Sequence, residues 1–219
     1  MTAVELVLFD LDGTLADTAP DLGGAVNRML VARGREPLPL AELRPVASHG
    51  ARGLLGRAFG VTPVDPEFED LRQEFFREYE GALCVDSTLF PAMDELLWGL
   101  EAAEIRWGIV TNKMARFTVP LVRALGLDQR AACVVSGDTA AKPKPDPAPL
   151  LLALSATRAR AEAALYVGDD LRDIQAGRAA GMRTVAAGYG YLGDGSHYAL
   201  WGADYIVHSP SEILSLVRP

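Results

Sequence analysis

The stretch VLFDLDGTLADT, residues 7–18, runs from apolar residues into two aspartates, Asp10 and Asp12, that stand one position apart. Residues 4–9 are almost all apolar and rich in β-branched and aromatic side chains, which predicts a strand buried on both faces. Gly13 follows at once and permits a tight turn. Side chains two positions apart on a strand share a face, so the two carboxylates are expected to lie together although they repel each other.

The rest of the chain alternates strand-like runs with helical patterns. The further strand-like runs are RWGIV at 106–110, ACVVS at 132–136, ALYVG at 164–168 and, more weakly, RTVAA at 183–187. Helical spacing separates them, as in RFTVPLVRALGL, which we expect to stop at Gly126. This alternation predicts an α/β fold with a Rossmann-like, doubly wound parallel sheet and right-handed crossovers.

The first gap is longer and has a different pattern. Between Asp12 and Arg106 we find no convincing strand but several helical patterns, such as the aromatic stripe in FEDLRQEFFREY at 68–79, which we interpret as core packing. We therefore predict an inserted helical domain over residues 16–85. The α/β core would then consist of residues 1–15 and 86–219.

Composition narrows the choice of partners and location. The net charge of -8 over 219 residues argues against binding to nucleic acid or to an anionic membrane. No segment approaches the roughly 18 uncharged residues of a membrane span. Cys84 and Cys133 fit no metal-ligand spacing and are expected to be buried, reduced thiols. We expect a cytoplasmic, monomeric protein.

Polar residues cluster where the predicted strands end. They are Asp10 and Asp12 after the first strand, Thr111 and Asn112 after the second, Lys142 after the third, and Asp169, Asp170 and Asp173 after the fourth. Ligands of open α/β sheets bind at these ends. Two charges about 4 Å apart repel by roughly 1 kcal/mol in water and about 4 kcal/mol at an effective dielectric near 20, so gathered carboxylates need a cation. All-oxygen ligands favour Mg²⁺.

A phosphate group accounts for the remaining polar residues. Thr111 offers a hydroxyl and Lys142 a charge, and the turn at Gly13 lets backbone amides approach an oxyanion. The residues expected to contact phosphate are Leu11, Gly13, Thr111, Asn112 and Lys142. The chemistry indicated is phosphoryl transfer, with Asp10 as a nucleophile that forms an aspartyl-phosphate and Asp12 as the group that carries protons.

Four motifs, FDLDGTLADT, VTNK, KPKPDP and VGDDLRD, occur in an order that resembles the haloacid dehalogenase superfamily of aspartate-nucleophile phosphatases over the whole chain. The resemblance implies that Asp10 is the nucleophile and a metal ligand. It implies that Asp12 is the acid/base and binds metal through its backbone carbonyl, and that Asp169 is the third metal ligand.

The resemblance also implies that Thr111 and Lys142 stabilise the phosphate. Lys144 competes with Lys142 because KPKP repeats the pattern; we favour Lys142, since the family motif runs KPxPxP. Asp173 would orient a metal-bound water or Lys142. Asp170 stands where many relatives have serine, and whether it contacts the metal is open.

In this family an insertion at that place is a mobile cap that selects the substrate. Within the cap, Arg52 either holds a substrate carboxylate or hydroxyl or is an exposed arginine. The chain resembles phosphoglycolate phosphatases, and its stretches WGIVTNK and VGDDLRDIQAGRAAGMRT resemble the subgroup that acts on N-acetylmuramic acid 6-phosphate. We expect a phosphomonoesterase that acts on a small phosphorylated metabolite.

Other functions use a similar set of residues. A signalling receiver domain also phosphorylates an aspartate beside Mg²⁺, but it has nothing like Asp12 to drive rapid hydrolysis. Metal-free haloacid dehalogenases lack that carboxylate too. A phosphosugar mutase stays open, because it differs in the lifetime of the phosphoaspartate. A calcium loop is disfavoured, since Gly13 stands at the fourth loop position instead of the sixth.

Overall fold

The computed structural model describes residues 3–193 and 195–217. Residues 1, 2, 194, 218 and 219, which the sequence interpretation placed in the core, lie outside the described part. Within that part, none of the helices combines the length and the apolar character that a membrane span requires.

A six-stranded parallel sheet forms the centre of the protein, with strand order β5-β4-β1-β6-β7-β8. The strands are β1 (Leu6–Phe9), β4 (Arg106–Val110), β5 (Val134–Val135), β6 (Ala164–Gly168), β7 (Arg183–Ala187) and β8 (Tyr205–Val207). The chain moves from β1 outward through β4 and β5, and then crosses back to β6 on the other side of β1. The predicted α/β fold with a parallel sheet is confirmed.

Strand β1 lies between β4 and β6 and is completely buried. Val7 and Phe9 belong to the apolar cluster on one face of the sheet, and Leu6 and Leu8 to the cluster on the other. This two-sided burial explains why the strand is continuously apolar in sequence.

Helices cover both faces of the sheet. Helices α5 (Met93–Ala102), α6 (Ala115–Ala124) and α9 (Ile213–Val217) contribute to the first cluster, and α7 (Ala148–Thr157) and α8 (Leu171–Ala179) to the second. The predicted helix before Gly126 is α6, and Gly126 has the positive φ of 72° that a helix stop needs. Both cysteines are free thiols, as predicted, but they are half-buried and not buried; burial raises the pKa of Cys133 to about 11.

Four helices fill the predicted insertion: α1 (Ala19–Val31), α2 (Leu40–Ala47), α3 (Gly50–Phe59) and α4 (Phe68–Glu80). They pack around an apolar cluster of their own, to which the stripe of α4 contributes Phe68, Phe75 and Tyr79. The expectation of core packing for this stripe is therefore confirmed. The division of the chain into two domains at residues 16 and 85 stays a prediction.

Three short strands were missed by the sequence interpretation. Strands β2 (Ala16–Asp17) and β3 (Thr88–Leu89) pair antiparallel, so the expectation of no strand between Asp12 and Arg106 is wrong. Strand β8 was missed as well. Two or three residues are too few to show a hydrophobic period, and such strands are defined by the partners with which they pair.

Candidate active site

The predicted polar residues meet at the carboxyl ends of three adjacent strands, β4, β1 and β6. Thr111, Asp10 and Asp169 each directly follow one of these strands. The site lies where the chain reverses its direction across the sheet, which is where open α/β sheets bind ligands.

Three buried carboxylates form an acidic cluster, which consists of Asp10, Asp169 and Asp173. One ligand atom from each lies within 4.8 Å of the other two. The family resemblance implied Asp10, Asp169 and the backbone carbonyl of Asp12 as metal ligands, with Asp173 as a neighbour that orients a metal-bound water or Lys142. The structure therefore places the Asp173 side chain closer to this group than predicted, and turns the Asp12 carboxylate toward other partners.

Lys144 is the lysine of the site. Its ammonium group lies 3.0 Å from Asp10 Oδ1 and 2.6 Å from Asp173 Oδ1, and its side chain is 2% exposed. The side chain of Lys142 is 73% exposed, and its ammonium group lies 3.7 Å from Asp146 Oδ2 at the surface. The prediction that Lys142 stands in the site is wrong, and the alternative lysine takes its place.

Asn112 explains why the second lysine faces inward. Its Nδ2 donates a hydrogen bond to the carbonyl of Lys144 at 2.9 Å, and its Oδ1 accepts one from the Lys144 amide at 2.9 Å. These two bonds set the register of the KPKP segment, which the repeated sequence leaves ambiguous. Asn112, expected to contact phosphate, instead uses both ends of its amide group to position Lys144.

Asp169 is held by residues that the sequence interpretation did not single out. Its Oδ1 accepts a hydrogen bond from Thr14 Oγ1 at 2.8 Å, and its Oδ2 accepts one from the Tyr191 amide at 2.9 Å. Gly13 has a φ of +86°, and a Cβ atom there would stand 2.3 Å from Asp169 Oδ2. The glycine is thus required for the close approach of the turn to this carboxylate.

The Asp12 carboxylate contacts a second lysine. Its Oδ1 accepts hydrogen bonds from Thr18 Oγ1 at 2.5 Å and from Lys113 Nζ at 2.9 Å. The Lys113 side chain is 8% exposed, and Asp12 raises its pKa against the effect of burial. Lys113 stands in the VTNK motif, but the sequence alone offered no reason to assign it a role.

Asp170 has a structural use in helix α8. It is the N-cap residue, and with Asp173 it forms a capping box. Its carboxylate also pairs with Arg172 through two hydrogen bonds of 2.7 Å, and Arg172 donates another at 2.9 Å to the carbonyl of Ser48 in the helical insertion. These contacts occupy the carboxylate.

Three further predicted residues lie at or near the cluster. Thr111 is buried, and its Oγ1 accepts a hydrogen bond from the Lys113 amide, which leaves its proton free to be donated. The Leu11 amide donates to Asp10 Oδ1 at 2.7 Å. Arg52, on α3, is exposed and makes no hydrogen bond or ion pair with any described residue, and it lines the cavity above the site.

The electrostatics of the cluster favour a bound cation. Burial raises the pKa of Asp169 to about 8, and repulsion from Asp10 and Asp173 adds to this effect. Burial also raises the pKa of Asp10, although Lys144 opposes the shift. One lysine cannot balance three carboxylates, and the donors are all oxygen, so the residues fit a hard divalent ion.

A cavity of about 450 Å³ opens above the carboxylates. Its floor includes Asp10, Asp12 and Lys144, and helices α3 and α4 of the insertion contribute its roof. This volume lies in the range of small-molecule binding sites, roughly 300–1,000 Å³.

Comparison with known proteins identifies several relatives. Residues 7–187 match the model of the family described as haloacid dehalogenase-like hydrolase. The N-acetylmuramic acid 6-phosphate phosphatase of Pseudomonas aeruginosa is 43% identical over 214 residues, which cover 98% of this chain and 95% of that protein. The phosphoglycolate phosphatase of Xanthomonas campestris pv. campestris is 46% identical over 94% of this chain and 93% of that protein.

Solved structures share the fold. The crystal structure of a predicted phosphoglycolate phosphatase from Haemophilus somnus superimposes with a TM-score of 0.84 at 28% identity, and the match covers 100% of both chains.

Proposed function

This chain belongs to the haloacid dehalogenase-like hydrolases, and on that premise we propose that it is a magnesium-dependent phosphomonoesterase that works through an aspartyl-phosphate. The observation that carries the proposal is the buried cluster of Asp10, Asp169 and Asp173 around Lys144 at the switch point of the sheet. The phosphatases among its relatives support the reaction class.

Asp10 is the proposed nucleophile. The Leu11 amide and Lys144 both contact its Oδ1, so the orientation of the carboxylate is fixed before a substrate arrives. An oxygen of this carboxylate attacks the phosphorus, the bond from phosphorus to the ester oxygen breaks, and the phosphoryl group is carried on Asp10. Fixed orientation lowers the entropic part of the barrier.

Asp12 is the proposed acid and base. It gives a proton to the departing alkoxide, and in the second half-reaction it takes a proton from the water that attacks the aspartyl-phosphate. Thr18 and Lys113 hold its Oδ1 and fix the direction in which the carboxylate faces.

Lys144 and the Thr111 hydroxyl are the proposed contacts for the phosphoryl oxygens. Asn112 and Asp173 position the lysine, through its backbone and its ammonium group respectively. Charge that develops on the phosphoryl oxygens is then met by donors already in place, which is the usual source of electrostatic stabilisation.

Asp10, Asp169 and the backbone carbonyl of Asp12 would hold Mg²⁺, with Asp173 close by. When bound, the ion supplies positive charge that offsets the carboxylates and the phosphate. Thr14, Tyr191 and Gly13 keep Asp169 in place for this purpose.

The proposed substrate is a small phosphorylated metabolite, either 2-phosphoglycolate or N-acetylmuramic acid 6-phosphate. Both compounds carry a carboxylate besides the phosphate. Arg52 lines the cavity without an ionic partner among the described residues, and it is the proposed contact for that carboxylate.

The test is release of inorganic phosphate from both compounds, from glucose 6-phosphate and from p-nitrophenyl phosphate, with Mg²⁺ or with a chelator. We expect release that depends on Mg²⁺, and its loss in Asp10→Asn. The control variant is Asp128→Asn, which should retain the wild-type rate, because this half-buried carboxylate pairs with Arg123 and does not line the cavity.

Two results would contradict the proposal. A stable phosphoprotein without release of phosphate would indicate a receiver-type function. Transfer of the phosphoryl group to a second sugar position, in place of release to water, would indicate a mutase. Trapping a phosphorylated Asp10 during turnover, detected by mass spectrometry, would support the aspartyl-phosphate.

A further inference from the structure

The cavity continues beyond the carboxylates into a wall of aromatic rings. Four of the five rings come from helix α4 and one from α6; they are Phe68, Phe75, Phe76, Tyr79 and Phe117. We call this set the aromatic wall. On α4 these residues are spaced so that they share one face of the helix.

Four rings of the wall contact one another, and Phe117 of α6 thereby joins the three rings of α4. Phe76 and Phe117 have ring centroids 5.3 Å apart, and so do Tyr79 and Phe117. Phe75 stacks on Tyr79 with its centroid 6.2 Å away. The result is a continuous apolar surface that faces the cavity.

Phe76 is the ring of the wall with the most accessible surface. The other four are buried, whereas Phe76 is half-buried and packs only at the edge of the apolar cluster. Two guanidinium groups lie over its ring, those of Arg116 at 4.6 Å and Arg72 at 5.3 Å. Phe76 lines the cavity and, beside these two groups, keeps accessible surface that the four buried rings lack.

Tyr79 adds a polar atom to this apolar surface. Its hydroxyl is buried and makes no hydrogen bond to a described residue. Burial raises the pKa of the hydroxyl, and Lys113, 4.7 Å from the ring centroid, opposes this shift without the geometry of a hydrogen bond. A buried hydroxyl without a partner is unfavourable, which indicates that a ligand atom satisfies it.

Lys113 connects the aromatic wall to the proposed catalytic residues. The same ammonium group contacts Asp12, the proposed donor of a proton to the leaving oxygen, at 2.9 Å. The alcohol that leaves the phosphorus and takes its proton from Asp12 therefore stands next to Lys113 and faces the aromatic wall.

We propose that the aromatic wall is the binding site of the leaving group, and that Phe76 and Tyr79 determine specificity for hexose-sized phosphomonoesters with an apolar face, over two-carbon esters. This inference rests on the proposed function, because it concerns the alcohol portion of the same substrate.

The size of the cavity supports this choice. A cavity of about 450 Å³ would leave the accessible surface of Phe76 uncovered if the alcohol had only two carbons. Apolar rings gain free energy only when a ligand removes them from water. A sugar ring can cover the accessible part of Phe76 with its C–H face, and its oxygens can accept a hydrogen bond from Tyr79.

The experiment measures binding separately from turnover. Calorimetric titration of Asp10→Asn in Mg²⁺ with N-acetylmuramic acid 6-phosphate and with 2-phosphoglycolate compares two esters that both carry a carboxylate. We expect the sugar ester to bind at least about tenfold more tightly. Adding Phe76→Ala should weaken its binding about tenfold and change that of 2-phosphoglycolate less than about twofold.

Phe59→Ala is the matched control. Phe59 also packs half-buried at the edge of the same cluster and has Arg33 and Arg35 over its ring, but it does not line the cavity. It should leave the affinities of both esters unchanged. Tyr79→Phe, which removes only the hydroxyl, should weaken the sugar ester several-fold and spare the two-carbon ester.

Equal affinity for the two esters would overturn the inference, and so would equal losses of both in Phe76→Ala. Equal effects of Phe59→Ala and Phe76→Ala would overturn it as well. Failure of the proposed function is distinguishable: wild-type protein would then bind the sugar ester selectively without releasing phosphate, and the specificity inference would stand.

Discussion

The Lys144 ammonium group lies 3.0 Å from Asp10 Oδ1, and only 2% of the lysine side chain is exposed. We expect Lys144→Met to lower kcat by about 10²–10³, because one of the proposed contacts to the phosphoryl oxygens is lost. It should also lower the free energy of unfolding by roughly 3–5 kcal/mol, since buried carboxylates lose their counter-charge. Steady-state kinetics and urea unfolding measure the two effects.

Lys142→Met is the control for this prediction, because the two lysines share the KPKP segment. Its side chain is 73% exposed and its pairing with Asp146 is loose, so kcat and stability should stay near wild type. The reverse pattern, with activity lost in Lys142→Met and kept in Lys144→Met, would show that the assignment of the two lysines is wrong.

Gly13 lies against Asp169 with a φ of +86°, and an added Cβ atom would stand 2.3 Å from Asp169 Oδ2. We expect Gly13→Ala to reduce both stability and Mg²⁺ affinity, because the turn and the carboxylate cannot keep their positions together. The left-handed backbone alone costs an alanine about 1–2 kcal/mol. Thermal unfolding and a Mg²⁺ titration of activity check the prediction.

Gly60→Ala separates backbone strain from the clash with the carboxylate. Gly60 has a similar φ of +75°, but nothing lies within 4 Å of its added Cβ atom. This variant should lose about 1–2 kcal/mol of stability and keep its Mg²⁺ affinity. If both variants need the same concentration of Mg²⁺, the close approach of Gly13 does not serve the metal site.

Local sequence was enough to predict five of the six strands of the sheet and the edge at which the polar residues of the candidate site gather. The buried strand β1 carries its own signal, because both of its faces are apolar, and Asp10, Thr111 and Asp169 follow their strands directly. Placement at strand ends needs no knowledge of the contacts between distant residues. Parallel strands bring their carboxyl ends together in any order of the strands.

The remaining features depend on contacts between distant residues. Lys144 faces inward because Asn112, 32 positions earlier, binds its backbone, and the KPKP repeat is ambiguous without that contact. Asp169 is fixed by the Tyr191 amide and by Thr14, from two separate loops. Periodicity reports which face of an element is buried, but it does not report which loop closes over a site.

Asp21 connects the two segments of chain that link the helical insertion to the sheet, one before α1 and one after α4. It lies buried in α1, and its carboxylate accepts hydrogen bonds from the Val85, Asp86 and Ser87 amides at 2.8–3.2 Å and from Ser87 Oγ at 2.6 Å. Both oxygens are used, so Asp21→Asn must point an amide N–H₂ group at a backbone N–H. We expect a loss of about 2 kcal/mol in the free energy of unfolding.

Hydrogen exchange locates that loss. In Asp21→Asn the amides of Val85, Asp86 and Ser87 should exchange faster. The amides of β1 should exchange faster only to the extent that the global free energy of unfolding falls. Asp65→Asn is the control, because Asp65 also accepts hydrogen bonds, from Thr62, but lies at the surface, and it should change stability by less than about 0.5 kcal/mol. Unchanged exchange at residues 85–87 in Asp21→Asn would show that the carboxylate does not hold this crossing.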